Sequence, residues 1–282
     1  MRLPDRPFDA VPGARLLLAM LAGSWLLLAA LPPAAAADAA MRGDAIVAAA
    51  YLDPVDRYGH FALGKPHEYA RVSATTGSGR QLQFELPKEL VFEDLQPRIV
   101  TLSAGAEPQL LTIVSGRDGG ARLMLLRRDG DRLLPAAQSA PVGRSMRWLN
   151  PVGVADLDGD GQAEIAAVLT PHIGGTLKVY RQSGDQLIEI AALAGFSNHV
   201  YGSAELGLST PLAVNGRMSL VVPDNARQRL RVVALADGRL VETASCPLDE
   251  ALTGALQPHS DGRVELVGRA GRRLIDLTSC RR

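Results

Sequence analysis

Lysine is almost missing from this chain: Lys65, Lys88 and Lys178 stand among 30 basic residues, and the rest are arginine. With abundant Ala, Arg, Leu and Gly, that bias suggests a high-GC bacterial source. Neither charge sign is in excess, at 30 basic against 30 acidic residues. A chain without a basic surplus has no electrostatic footprint for nucleic acid or an anionic membrane surface. The pairs Arg127-Arg128, Arg272-Arg273 and Arg281-Arg282 read as solvated strand ends. Catalytic signatures are also absent. There is no Gly-x-Ser-x-Gly elbow, no phosphate-binding Walker loop, no Gly-x-Gly-x-x-Gly and no Cys-x-x-Cys. His67-Glu68 opens like a His-Glu-x-x-His zinc motif, but Arg71 stands where the second His belongs. Amphipathic helical spacing is lacking beyond the N-terminal segment, where Asp249–Leu252 makes at most one turn.

Only one long apolar run exists, Leu16 to Leu31, interrupted by Gly23 and Ser24. Arg2, Arg6 and Arg15 precede it, and an Ala-x-Ala site within Ala34–Ala37 ends before Asp38. That order predicts a cleaved secretory signal over 1–37, with an uncleaved anchor as the alternative. Cleavage leaves 27 basic and 28 acidic residues in 38–282. The expected location is periplasmic or secreted, with no membrane contact once the signal is gone, and the expected state is monomeric. The two cysteines, Cys246 and Cys280, would pair in an oxidising compartment; two free thiols are the other possibility. Arg42-Gly43-Asp44, near the expected mature N-terminus, is explained by chance.

Against these absences stands Asp156-Leu157-Asp158-Gly159-Asp160-Gly161-Gln162-Ala163-Glu164, followed by the apolar run Ile165–Leu169. Carboxylates at positions 1, 3, 5 and 9 of a tight turn converge on one point and supply the hard oxygens that suit Ca2+. Gly161 supplies the sharp bend, since a residue without Cβ takes positive φ at little cost. An EF-hand would need a bidentate Glu at position 12 and flanking helices; position 12 is Ala167, inside a strand-like run. A solvated turn that binds nothing is the alternative.

The segment resembles the FG-GAP or VCBS repeat, the calcium-loop blade of integrin-α-type β-propellers. The repeat-like stretch is 150–182, and the close match is 152–169. Val152-Gly153 replaces the usual Phe-Gly, and Leu169-Thr170-Pro171 replaces Gly-Ala-Pro. The resemblance implies that Asp156, Asp158, Asp160 and Glu164 are side-chain ligands of Ca2+, and that Gln162 offers its backbone carbonyl.

Degenerate copies flank the intact loop. With Glu164 as anchor, Thr101, Ser103, Gly105 and Gln109 stand 55 residues upstream where the acids stand, and Asp261-Gly262-x-x-Glu265 keeps the back half 101 residues downstream. Weaker copies surround Met218 and Glu68. The anchors Glu68, Gln109, Glu164, Met218 and Glu265 lie 41, 55, 54 and 47 residues apart, spacings that suit one four-stranded blade each. The expected fold is therefore all-β, a propeller of five four-stranded blades over 38–282, with a β-sandwich as the alternative. Ala45–Tyr51 is expected to close the ring by pairing beside Arg273–Leu277, which would protect both edges. Four clustered acids repel, so the loop is expected to need metal for order.

Two functions follow. The first is a calcium-stabilised, non-catalytic module that binds a protein or glycan in the bacterial envelope, with His172, Asn198 and His199 as candidate binding-loop residues. The second is a hydrolase or lyase working at the propeller channel through His199, Asn198 and Glu205.

Overall fold

The computed structural model describes residues 44–65, 67–268 and 271–281; the expected signal segment 1–37 lies outside them. The described part is all-β, in sheets of 12, 4 and 3 strands, with a single 3-10 turn at Leu277–Ser279. No α-helix is among the described elements, and no helix there is long and apolar enough to cross a membrane.

The strands fall into five consecutive antiparallel units. The first joins β1 (Ile46–Pro54), β2 (Tyr69–Thr76) and β3 (Gln81–Glu85). In the second, two short strands, β4 (Leu90–Phe92) and β5 (Arg98–Val100), share the edge of β6 (Gln109–Gly116), which continues into β7 (Gly120–Asp129) and β8 (Arg132–Gln138). The third runs β9 (Leu149–Ala155), β10 (Glu164–Leu169), β11 (Gly175–Ser183) and β12 (Gln186–Phe196). The fourth repeats that order with β13 (Thr210–Val214), β14 (Arg217–Pro223), β15 (Arg229–Ala236) and β16 (Arg239–Pro247). The last holds β17 (Leu256–Pro258), β18 (Arg263–Gly268) and β19 (Gly271–Asp276). Single residue pairs, Tyr69 with Phe92 and Gln186 with Gln138, merge the first three units into the 12-stranded sheet.

Alternation explains how the units stack. Successive side chains point to opposite faces of a strand, and the central strands are apolar on both. Leu110 and Val114 of β6 join Tyr51, Val72 and Phe92 against the first unit, while Leu111 and Ile113 face Trp148, Ile165 and Ala167. Ala166 and Val168 of β10 turn the other way, toward Leu220, Val222 and Val233; Val221 and Val232 meet Val264, Leu266 and Ile275. Each fully buried Leu, Ile or Val stabilises by roughly 1.5–3 kcal/mol relative to exposure. Face-to-face burial between neighbouring units therefore outweighs anything the hairpin turns contribute. Four clusters fill four gaps, and among the described residues no fifth cluster joins the last unit to the first.

The expected terminal closure is overturned. β1 pairs with β2 in a local hairpin, Tyr51 opposite Val72, and β19 pairs with β18. Tyr51 stacks on Tyr69 and Phe92 at 5.4 and 5.0 Å between ring centroids, so burying that ring selects the hairpin. It is the C-terminal segment that reaches back: Arg281 bridges Ser245 beside β16, and Cys246 and Cys280 form a disulfide with Cα atoms 5.2 Å apart.

Candidate metal centre

The acid loop connects β9 to β10 in the third unit, and its own carboxylates build the turn. Asp156 Oδ1 accepts the N–H groups of Gly159 and Asp160 at 2.7 and 3.1 Å, and its Oδ2 accepts that of Gly161 at 2.9 Å. Asp158 Oδ1 accepts the Asp160 N–H at 3.3 Å, and Asp160 Oδ1 accepts the Gln162 N–H at 2.8 Å. Gly159 and Gly161 sit at φ of 83° and 86°, the left-handed region that the turn requires. The ligand-free copy upstream acts as a shelf: Ala163 N–H donates to the Leu102 carbonyl at 2.7 Å, and Gln162 bridges Ser103.

Of the five expected ligands, Asp156, Asp158 and Glu164 bring carboxylate oxygens within 4.8 Å of one another. Asp160 is not in that trio, and Gln162 lies exposed at the rim. Glu164 is fully buried, and its Oε2 accepts the Leu157 N–H at 2.9 Å. Glu68, the anchor of the first unit, repeats this job: it is buried and accepts the N–H groups of Tyr58, Gly59 and His60. In the first and third units, then, the anchor glutamate ties the preceding loop to its strand, with or without ligand acids nearby.

A residue that sequence reasoning missed offsets part of the loop's charge. The register of β10 on β11 puts Ile165 opposite Tyr180, so Arg181 lies across from Glu164. Its guanidinium donates from Nε to Glu164 Oε1 at 3.0 Å and from Nη2 to Asp158 Oδ2 at 2.7 Å, with a second Nη2 contact to Glu164. Nη1 lies 3.4 Å from Asp160 Oδ2. These bonds hold Asp158 below the usual carboxylate range and push the Arg181 guanidinium up. The donor set consists of hard oxygens and fits Ca2+ chemistry; four carboxylates against one guanidinium still leave a negative excess that favours a divalent ion. A cleft of about 490 Å3, lined by Asp158, Asp160, Arg217 and Asp237, opens between this loop and the fourth unit.

The candidate binding-loop residues come together, with Asn198 and His199 inside the protein and His172 half-buried. His199 is fully buried; its Nε2 is 2.8 Å from the Ser203 carbonyl, and its Nδ1 is 2.7 Å from His172 Nε2. A carbonyl only accepts, so Nε2 of neutral His199 carries the proton, and its Nδ1 takes the hydrogen bond from His172. Both imidazoles titrate at about 4, lowered chiefly by burial; His199, His60 and Arg227 add to the lowering at His172, and Arg227 adds to it at His199. Trp148 packs against both rings, stacked on His172 and edge-on to His199. Asn198, also fully buried, donates to the Asn150 carbonyl and to Ser209 Oγ at 3.2 and 3.0 Å. Glu205 Oε1 accepts the Gly207 N–H at 2.7 Å.

Nothing in the sequence pointed to the second half of this cluster. His60 Nδ1 lies 2.8 Å from Oε1 of buried Glu93, and Ser115 Oγ donates to Glu93 Oε2 at 2.6 Å. Trp148 Nε1 donates to the Glu93 carbonyl, and Tyr201, 58% exposed, covers His172 edge-on while donating to the His60 carbonyl. The polar atoms of this centre are mostly spent on binding five connections together. Compared with known proteins, the chain matches no family model and no curated sequence.

Proposed function

We propose that this chain is an exported, calcium-stabilised β-propeller whose five antiparallel units are its blades, and that it acts as a non-catalytic binding module. Its partner is a protein or glycan in the bacterial envelope, met in the periplasm or outside the cell. The observation that carries the proposal is the convergence of Asp156, Asp158 and Glu164 at the turn between the first two strands of the third unit. The Cys246–Cys280 disulfide supports an oxidising compartment. The burial and internal hydrogen bonds of His199 and Asn198 favour binding over hydrolase or lyase chemistry, because a general acid or base must reach a substrate proton. In the proposed site Asp156, Asp158, Glu164 and the nearby Asp160 would hold Ca2+. The ion would supply charge neutralisation and a bond from loop to blade.

Thermal unfolding with and without calcium tests this. Binding to the folded state alone raises stability by about 2.7 kcal/mol at a hundredfold excess over the dissociation constant. The wild type should melt higher in calcium than in chelator, and Asp158→Ala should erase the difference. Superimposable wild-type curves would count against calcium; glycan-array binding and pull-down from envelope extract, each with and without Ca2+, then address the partner.

A further inference from the structure

We infer that Arg181 is the acid loop's own counter-cation, ordering the loop before any metal arrives and contending with the metal for the same oxygens. The inference rests on the calcium reading above for its second half only. Its basis is geometric. One guanidinium reaches three of the four acids, Asp158, Asp160 and Glu164, from the neighbouring strand. Glu164 has no exposed side-chain surface, and a buried carboxylate needs a charged or hydrogen-bonding partner whether or not a metal is bound. Arg181 fills that need by position, since the cross-strand register sets it opposite Glu164.

The turn itself is closed by N–H groups of Gly159, Asp160, Gly161 and Gln162 on Asp156 and Asp160, none of which calls for an ion. Arg181 keeps 31% of its side chain exposed, so its long stem can swing the charged end toward solvent without leaving a hole. Ordering the loop and loading it with metal are then separate events. A divalent ion must draw Asp158 and Glu164 away from charge-assisted bonds in which one planar guanidinium bridges both carboxylates, a span that a lysine could not reproduce.

The test pairs Arg181→Gln and Arg181→Lys with the wild type, using calcium titration calorimetry and amide exchange at Gly159, Gly161 and Gln162. In chelator the wild-type amides should be protected. Arg181→Gln should lose that protection, regain it in calcium, and bind calcium about tenfold more tightly, a difference of about 1.4 kcal/mol. Arg181→Lys keeps the charge but not the fork, and should fall between; it also serves if the glutamine variant does not fold. Wild-type protection and affinity in both variants would overturn the inference. If none of the three proteins takes calcium, the calcium reading fails by itself. The role of Arg181 is then decided in chelator, where lost protection in the variants upholds it and retained protection overturns it.

Discussion

Glu164 shows how much one side chain can carry. It is fully buried, tethers Leu157 N–H and faces Arg181. Glu164→Ala strands both the amide and the guanidinium, so we expect a loss of about 2–3 kcal/mol in urea unfolding; Glu164→Gln, which can still accept from Leu157, should lose less. His172 and His199 make the second prediction. In the unfolded chain they take up protons near pH 6.5, but in the fold only near 4. The unfolded state therefore binds more protons throughout that interval, and stability falls as pH drops from 6.5 toward 4. The groups facing the pair are Arg227, His60 and the Ser203 carbonyl, none of them an anion that would rescue a charged imidazole. The expected loss is about 3 kcal/mol for the pair, allowing for solvent screening at His172. The double variant His172→Gln/His199→Gln should flatten the pH dependence in that window relative to wild type.

At the level of strands and turns, Gly153 constrains the seam between the third and fourth units. It occupies the Val-Gly dipeptide ahead of the acid loop, and a Cβ there would lie 2.6 Å from Pro211 Cδ of the fourth unit. Gly153→Ala should destabilise by about 1–3 kcal/mol through overpacking at that seam, and a compensating Pro211→Ala should recover part of the loss. The strands themselves were readable in advance because both of their signals are local. Apolar runs such as Leu110–Val114 and Leu220–Val222 fall in β6 and β14, and the glycines of Gly119-Gly120 and Gly174-Gly175 fall at the turns. The acid spacing of the loop was readable for the same reason. Arg181 was not, because it lies 17 residues beyond Glu164 and becomes a neighbour only through the β10–β11 register. His60, Glu93 and Trp148 meet through connections of three different units, and no periodicity records such meetings. Terminal closure failed as an expectation for a related reason: alternation says that Ile46–Pro54 is a strand, not which strand it joins.

For the whole molecule, the four inter-unit clusters make a one-dimensional stack in which each unit leans on its neighbours. Cooperativity in such arrays is a sum of neighbour terms, so damage at one seam is felt most nearby. Leu266→Ala, in the seam between the fourth and fifth units, should cost about 2–5 kcal/mol locally. Amide exchange should speed up in β14–β19 while β6 and β7 stay near wild-type protection. Uniform acceleration across all five units would show tighter coupling than the stack implies. The covalent tie between Cys246 and Cys280 adds a property of its own. It spans 34 residues and encloses the whole last unit, so a protease that nicks the connections around β17–β19 releases nothing. The cut protein should migrate as one band until a reductant is added.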